Sequence, residues 1–247
     1  MTWSKNILIY FTYFIVAILF LSCKNRIKEA PIILFNGTGT SSNDVKAIQN
    51  ILYSIHMDFA LVNSTQLNEL DTSRLRKCKL IIIPGGNFID IGKNLTEETS
   101  TKIQKAVHQG LNYLGICAGG FLAGNTQNNS FNIAKDVQFR FYSAEDKGIR
   151  KAAVAIVNAD GVTIEHYWED GPQFSGWGDI VSKYPDGTPA TVQGSYGLGF
   201  VVLTGVHPEA PENWRKEFYF TTSIEYSHKY AVMLIKAAMG KKPLSHF

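Results

Sequence analysis

The sequence predicts an α/β protein: a doubly wound, mostly parallel sheet with antiparallel strands added in its second half. Three observations carry this. Short apolar runs alternate with helix-period segments between residues 31 and 126, the pattern of repeated β-α-β units. Glycine-rich turns follow three of those runs. From about Asn129 the rhythm changes to short strand-like runs separated by turn signals such as Asn158-Ala159-Asp160-Gly161 and Pro185-Asp186-Gly187.

The chain begins with a segment outside this fold. Ile7 to Ser22 is an almost unbroken apolar run preceded by Lys5. It is shorter than the ~20 residues a spanning helix needs and has the form of a secretory signal. Phe20-Leu21-Ser22-Cys23 resembles a bacterial lipobox, which would make Cys23 the lipidated first residue of the mature chain. Residues 1–22 are therefore read as a lipoprotein-type signal peptide and 23–29 as a tether. The alternative is an uncleaved N-terminal transmembrane anchor. Lys24, Arg26 and Lys28 on one flank against Lys5 on the other give orientation no clear support. Either way the expected partner is a membrane, reached through a lipid on Cys23, and the expected location is the bacterial cell envelope.

Residues 30–247 have one domain's length. The net charge of +3 and the absence of a basic run after the first thirty residues exclude a nucleic-acid partner. No fixed-period repeat or low-complexity linker divides the chain. After Cys23 only Cys78 and Cys117 remain. Cys78 precedes one strand and Cys117 follows another, so in a parallel sheet they lie at opposite ends, roughly 15 Å or more apart and beyond disulfide reach. Cys117 is expected as a free thiol.

In order, Pro31 to Phe35 reads as a strand, followed by the turn Asn36-Gly37-Thr38-Gly39. That turn lacks the lysine of a P-loop and the full dinucleotide fingerprint. Val45, Ile48, Ile51, Leu52 and Ile55 recur at helical spacing over Asp44 to Ile55. Asp58 to Val62 is a second strand and Leu67 to Arg76 a weaker helix. Leu80 to Pro84 is the clearest buried strand. Thr96 to Gln109 is a helix capped by Thr96, with Glu97 and Glu98 in its first turn and Gly110 after its end. Tyr113 to Ile116 is the next strand. Lys151 to Val157, Val162 to Trp168, Asp179 to Tyr184, Ala190 to Gln193 and Gly199 to Thr204 read as antiparallel strands, and Tyr226 to Met239 as a closing helix. In a doubly wound sheet the ligand site lies at the carboxyl ends of the strands. Asn36 to Thr40, Pro84 to Asn87 and Cys117 would meet there.

The chemistry centres on Gly115-Ile116-Cys117-Ala118-Gly119-Gly120. This is the cysteine version of the nucleophile elbow. A sharp strand-to-helix turn is strained, and its neighbours need almost no side chain. Backbone dipoles and free N–H groups at a helix N-terminus favour a thiolate. A cysteine nucleophile also needs a base and a group to orient it. In Gly205-Val206-His207-Pro208-Glu209 the proline enforces extension, and residues two apart point the same way. Glu209 would approach one ring nitrogen of His207 and leave the other for Cys117. The N–H groups of Ala118 and Gly86 would form an oxyanion hole, each donor worth about 3 kcal/mol. Gly85, Asn87, Gly119, Trp168 and Gly171 are expected to line the substrate pocket. Gly171 to Phe174 and Gly176 to Gly178 read either as a loop rimming that pocket or as an ordinary loop with packed aromatics. Glu165 to Asp170 alternates its acids and His166 between two faces, so no local metal site is expected, and no cofactor. His56, His108, His228 and His246 have no motif around them.

Pro-Gly-Gly after a buried strand, then Gly-x-Cys-x-Gly-Gly and His-Pro-Glu, resembles the class I glutamine amidotransferase-like superfamily. More narrowly, Gly110 to Gly120 with Gly205 to Glu209 looks like the biotin-protein-ligase N-terminal domain family, over about residues 30–217. The resemblance implies a flavodoxin-like sheet and a nucleophile, base and orienting acid at Cys117, His207 and Glu209. It does not imply biotin ligation, which belongs to a separate catalytic domain for which this chain has no room. The first functional expectation is an exported, membrane-tethered thiol hydrolase acting on an amide or acyl bond of a small molecule or peptide. Ammonia transfer fits an exported chain less well, because it serves ATP-dependent synthetases and ATP is scarce outside the cytoplasm. The second expectation is a non-catalytic ligand-binding lipoprotein that keeps the fold.

Overall fold

The computed structural model describes residues 30–126, 128–134, 138–142 and 147–247; the expected signal peptide, tether and lipidated Cys23 lie outside them. Among the described residues no helix is long and apolar enough to cross a membrane. The strands β1 (Ile32–Phe35), β3 (Leu80–Ile83) and β4 (Asn112–Ile116) are buried along their whole length. Unbroken apolar runs behave this way when helices cover both faces of a parallel sheet. Alternate side chains feed two core layers. Ile33, Phe35, Ile81, Ile83 and Tyr113 share one with Leu67, Leu75, Ile103 and Leu122. Ile32, Leu34, Ile82, Leu114 and Ile116 share the other with Val45, Ile48, Leu234 and Ile235. The second layer is thus roofed by α1 (Ser42–Ser54) and by α8 (Ile224–Gly240), the expected closing helix.

With β2 (Phe59–Val62) at one edge, the nine-stranded sheet runs β2-β1-β3-β4-β11-β10-β9-β6-β7. Here β6 is Lys151–Asn158, β7 Thr163–Glu169, β9 Asp179–Lys183, β10 Pro189–Tyr196 and β11 Gly199–Thr204. The first five strands are parallel, in the flavodoxin-like order with β11 in fifth place. The remaining pairings are antiparallel, as expected of the second half. One expectation changes. Gly199 to Thr204 is antiparallel only to β10, and on its other side it lies parallel to β4, with Leu203 opposite Gly115. The tight turn from β10 signals the antiparallel neighbour, and nothing local signals the parallel one.

Three further differences have local causes. The expected helix from Leu67 to Arg76 is two short ones, α2 (Ser64–Glu69) and α3 (Thr72–Leu75). Asn63 and Gln66 form a capping box and Asp71 caps the second start, so the backbone breaks between them. Asn87 caps an unexpected α4 (Phe88–Lys93). Residues 172–175, read as loop, form β8 (Pro172–Ser175), which pairs antiparallel with β5 (Gln138–Phe141). The helix after Thr96 forms as expected, α5 (Glu97–His108), with the Thr96 side chain accepting from the Thr99 N–H. Cys78 and Cys117 are both free, and burial pushes the Cys78 thiol up despite the Arg74 charge nearby.

His166 on β7 is wholly buried, with Nδ1 2.6 Å from Ser227 Oγ on α8. Burial, helped by the Arg215 charge, lowers its pKa to about 3 from 6.5. The native ring stays neutral while the unfolded chain takes up a proton below pH 6.5, so this residue's contribution to stability falls as pH drops from 6.5 toward 3. The slope is about 1.4 kcal/mol per pH unit. Urea unfolding is therefore expected to shift to lower urea between about pH 6.5 and about pH 4.5, with His166→Gln flattening that shift.

Candidate active site

The carboxyl ends of β1, β3, β4 and β11 converge on one rim, where the sequence placed the site. Two backbone bonds stitch the turn after β1 to the turn after β3: Ser41 N–H donates to Gly85 O at 3.0 Å, and Asn87 N–H to Gly39 O at 2.8 Å. At the end of β4, Cys117 takes φ 48° and ψ −102° and opens α6 (Ala118–Ala123). Such a backbone persists only when its surroundings impose it. Cys117 N–H donates to Thr204 O at 2.8 Å, and Tyr113 Oη–H donates to Gly119 O at 2.6 Å. A Cβ on Gly119 would collide with the Ile83 carbonyl, and one on Gly115 would lie 2.5 Å from Gly119 O. The elbow glycines are thus close-approach residues. Cys117 Sγ donates to Glu169 O at 3.6 Å, and its small exposed part faces a cavity of about 610 Å³.

His207 is held from below by its own backbone, whose N–H donates to Tyr167 O at 2.8 Å. Its Nδ1 lies 2.9 Å from Glu209 Oε1, the contact the His-x-Glu spacing predicted. A second carboxylate was not foreseen. Asp44, in the first turn of α1, puts Oδ1 3.0 Å from the same Nδ1. Asp44 is 2 %, His207 4 % and Glu209 1 % exposed. The sequence reading took Asp44 only as a helix start. The available signal was an acid one turn after a rim loop on an otherwise apolar helix face. Gly85 proves to be part of this arrangement: a Cβ there would lie 2.6 Å from His207 Cε1 and 2.7 Å from Asp44 Oδ1.

Burial opposes a charged His207, but the charges of Cys117, Asp44 and Glu209 outweigh it and hold the ring's pKa well above the ordinary value. Burial also raises Asp44, yet the His207 charge and hydrogen bonds with His207, Glu209 and Ser41 bring it below the usual range. Burial and the Asp44 charge carry Glu209 up to about 7 against the pull of His207. The ligand atoms of Asp44, His207 and Glu209 all lie within 4.8 Å of one another. One imidazole and two carboxylates form a donor set that Zn²⁺ accepts, so these residues could hold a divalent ion.

The remaining expected site residues divide. Gly86 and Asn87 line the cavity. Among the described residues, the Gly86 and Ala118 N–H groups have no protein acceptor. Asn87 spends its Oδ1 on the Ile89 and Asp90 N–H groups. Gly85, Gly119, Trp168 and Gly171 are not part of the cavity wall. Trp168 is fully buried and donates Nε1–H to Gly171 O at 3.2 Å. A Cβ on Gly171 would collide with Gly205 O. The strand pleat decides this, since residues 166 and 168 point to the core and 167 and 169 to the site. Tyr167 and Glu169 line the cavity instead, with Phe88, Phe121 and Trp214. Trp214 stands edge-on to His207, ring centres 5.8 Å apart. Tyr167 Oη–H donates to Glu169 Oε2 at 2.7 Å. Lys151 Nζ lies 3.1 Å from Glu169 Oε1, and Arg150 Nε 2.9 Å from Asp170 Oδ2, at the mouth.

Residues 30–150 match the sequence model of the family described as biotin-protein ligase, N terminal. The biotin–protein ligase of Schizosaccharomyces pombe is 24 % identical over 215 residues, covering 72 % of this chain and 33 % of its own. The chain thus spans about a third of that relative's length. Among solved structures, a glutamine amidotransferase superposes with a TM-score of 0.60 at 17 % identity, over 83 % of this chain and 98 % of its own. An exo-β-1,4-mannosidase of Opitutaceae bacterium strain TAV5 superposes at 0.55 and 15 % identity, over 83 % of this chain and 36 % of its own. At such identities the likeness is one of fold, and one fold hosts several activities.

If Cys117 is held in strained backbone by its neighbours, Cys117→Gly raises the stability of the chain by about 1 kcal/mol in urea unfolding, whereas Cys117→Ala does not. Gly85→Ala is expected to displace His207 from Asp44 and to lower the reactivity of Cys117 toward iodoacetamide several-fold, by about 1 kcal/mol or more.

Proposed function

This chain carries a class I glutamine amidotransferase-like fold and is related to the biotin-protein-ligase N-terminal family; from that premise we propose that it is a membrane-tethered, exported cysteine hydrolase of amide or acyl bonds. The observation that carries the reading is the meeting of a strained cysteine elbow with a buried, carboxylate-backed imidazole at one cavity. Cys117 Sγ attacks the carbonyl carbon of a small-molecule or peptide amide. His207, kept protonated by its charged neighbours, holds the proton that the thiol has given up and delivers it to the departing amine, leaving a thioester on Cys117. His207 then takes a proton from water, whose oxygen displaces the sulfur and releases the acid. Glu209 keeps the ring in the tautomer that faces Cys117. The unpaired N–H groups of Gly86 and Ala118 would receive the oxyanion. The apolar run before Cys23 supports export and a lipid tether, and an exported location favours hydrolysis over ammonia transfer.

A second reading rests on the hydrogen bond from Cys117 Sγ to Glu169 O. A thiol engaged with a carbonyl suits a non-catalytic, membrane-tethered binding protein whose ligand fills the same cavity. The two readings differ in the thiol's reactivity. With the full chain in detergent, iodoacetamide labelling of Cys117 is followed by peptide mass. The hydrolase reading expects fast labelling at about pH 7 that His207→Ala slows about tenfold or more. Labelling at the rate of an ordinary free cysteine, unchanged in His207→Ala, favours the binding protein. Release of free amine from a panel of peptide and small amides, abolished in Cys117→Ser, would then identify the substrate class.

A further inference from the structure

We propose that the amino-terminal edge of the parallel strands, opposite the cavity, is a docking surface for an anionic phospholipid bilayer, so that the domain stands with Cys117 facing away from the membrane. The proposal rests on the tether in the reading above and goes beyond it by fixing the orientation of the domain. Its first ground is the place where the described chain begins. Ala30 and Pro31 precede β1 at this edge, and Pro31 O accepts the Lys79 N–H at 2.8 Å, just before β3. The six residues between Cys23 and Ala30 span at most about 25 Å. A lipid on Cys23 therefore keeps this edge near the bilayer, while the cavity lies at the far ends of the same strands.

Charge is the second ground. The domain has no basic run in its sequence, yet the fold gathers a cationic cluster from separate segments. Arg76, Lys77 and Lys79 lie on the turn into β3, and Lys241 and Lys242 at the end of α8. Backbone contacts bring these segments to one edge. Lys79 O accepts the Asn112 N–H at 3.0 Å at the start of β4. Just before β11, Leu198 N–H donates to His108 O at 2.8 Å, and Lys241 Nζ donates to Leu198 O at 2.6 Å. All five basic residues are exposed, and none forms an ion pair with another described residue. The acids set among them are Asp58 before β2 and Asp71, which feels the Lys77 charge, so cations prevail. Apolar groups stand beside them. Leu198 is 73 % and Tyr53 60 % exposed, and a cleft of about 490 Å³ opens beside Ala30 between Tyr53, Met57 and Phe59. Lysines attract anionic headgroups, and exposed aromatic and aliphatic side chains settle among them.

The test dilutes the full chain from detergent onto preformed vesicles, either of phosphatidylcholine alone or with about 30 % phosphatidylglycerol. Lysine acetylation is then followed residue by residue by peptide mass. In the anionic vesicles Lys77, Lys79, Lys241 and Lys242 are expected to react about fivefold or more slowly than in the neutral ones, and about 0.5 M salt restores their rates. Lys151, at the mouth of the cavity, is expected to react equally in both. The double variant Lys77→Glu, Lys79→Glu is expected to lose the protection of Lys241 and Lys242, with Cys117 labelling in detergent unchanged as evidence that it folds. Equal rates in the two kinds of vesicle, or protection of Lys151 in place of the four, overturn the proposal and leave the tether standing. Protection that appears in detergent as protein concentration rises means that a second copy covers this edge, and also overturns it. A chain that does not float with either kind of vesicle overturns the tether and the proposal together, while the reactivity of Cys117 still decides the hydrolase reading.

Discussion

An imidazole buried among ionisable groups is the constraint around which the rest of this structure is arranged. Removing a charge from water costs on the order of several kcal/mol unless partners replace the solvent. His207 meets that requirement with two carboxylates on Nδ1 and with the charge of Cys117. Each partner arrives on a different element: Asp44 on the first turn of α1, Glu209 two residues on from His207, Cys117 at the end of β4. The turns that carry them are fastened to one another by backbone bonds rather than by side chains. Gly85 then has no side chain because the ring and the Asp44 carboxylate occupy that space.

Strain at Cys117 is the second feature that the scaffold must hold. A non-glycine residue at φ 48° stays there only while the chain around it is over-determined. The parallel neighbour β11 accepts the Cys117 N–H, Tyr113 reaches up from β4 to the Gly119 carbonyl, and α6 approaches β3 closely enough that Gly119 tolerates no Cβ. The same strand, β11, leads directly into the His207 segment. Placing it beside β4 therefore sets the cysteine and the imidazole on adjacent strand ends.

The segment at the end of β7 contributes in a way that separates surface from support. Tyr167 gives its carbonyl to the His207 N–H and its ring to the cavity wall, while Trp168 and His166 on the opposite face complete the core. Gly171 lets the following chain pass close to Gly205. Aromatic side chains around His207 (Tyr167 and Trp214) limit water beside the ring. That lowers the local dielectric and strengthens the charge interactions that keep the ring protonated.

By itself the sequence determined most of the elements and the local chemistry. Period-two and period-3.6 apolar patterns set the strands and long helices, glycine spacing marked the Cys117 elbow, and the proline in His207-Pro208-Glu209 set the contact between imidazole and acid. These are short-range facts, encoded within a few residues. The tertiary structure alone decided which strand lies beside β4, because β11 is more than eighty residues away and its composition suits any buried position. It alone brought Asp44 to His207, since an acid in a first helical turn reads as a capping preference until the loop before it is fastened to the neighbouring turn. It also turned Trp168 to the core and Tyr167 to the cavity. Alternation separates the two faces of a strand, but only packing against α8 and the His207 segment says which face is inside.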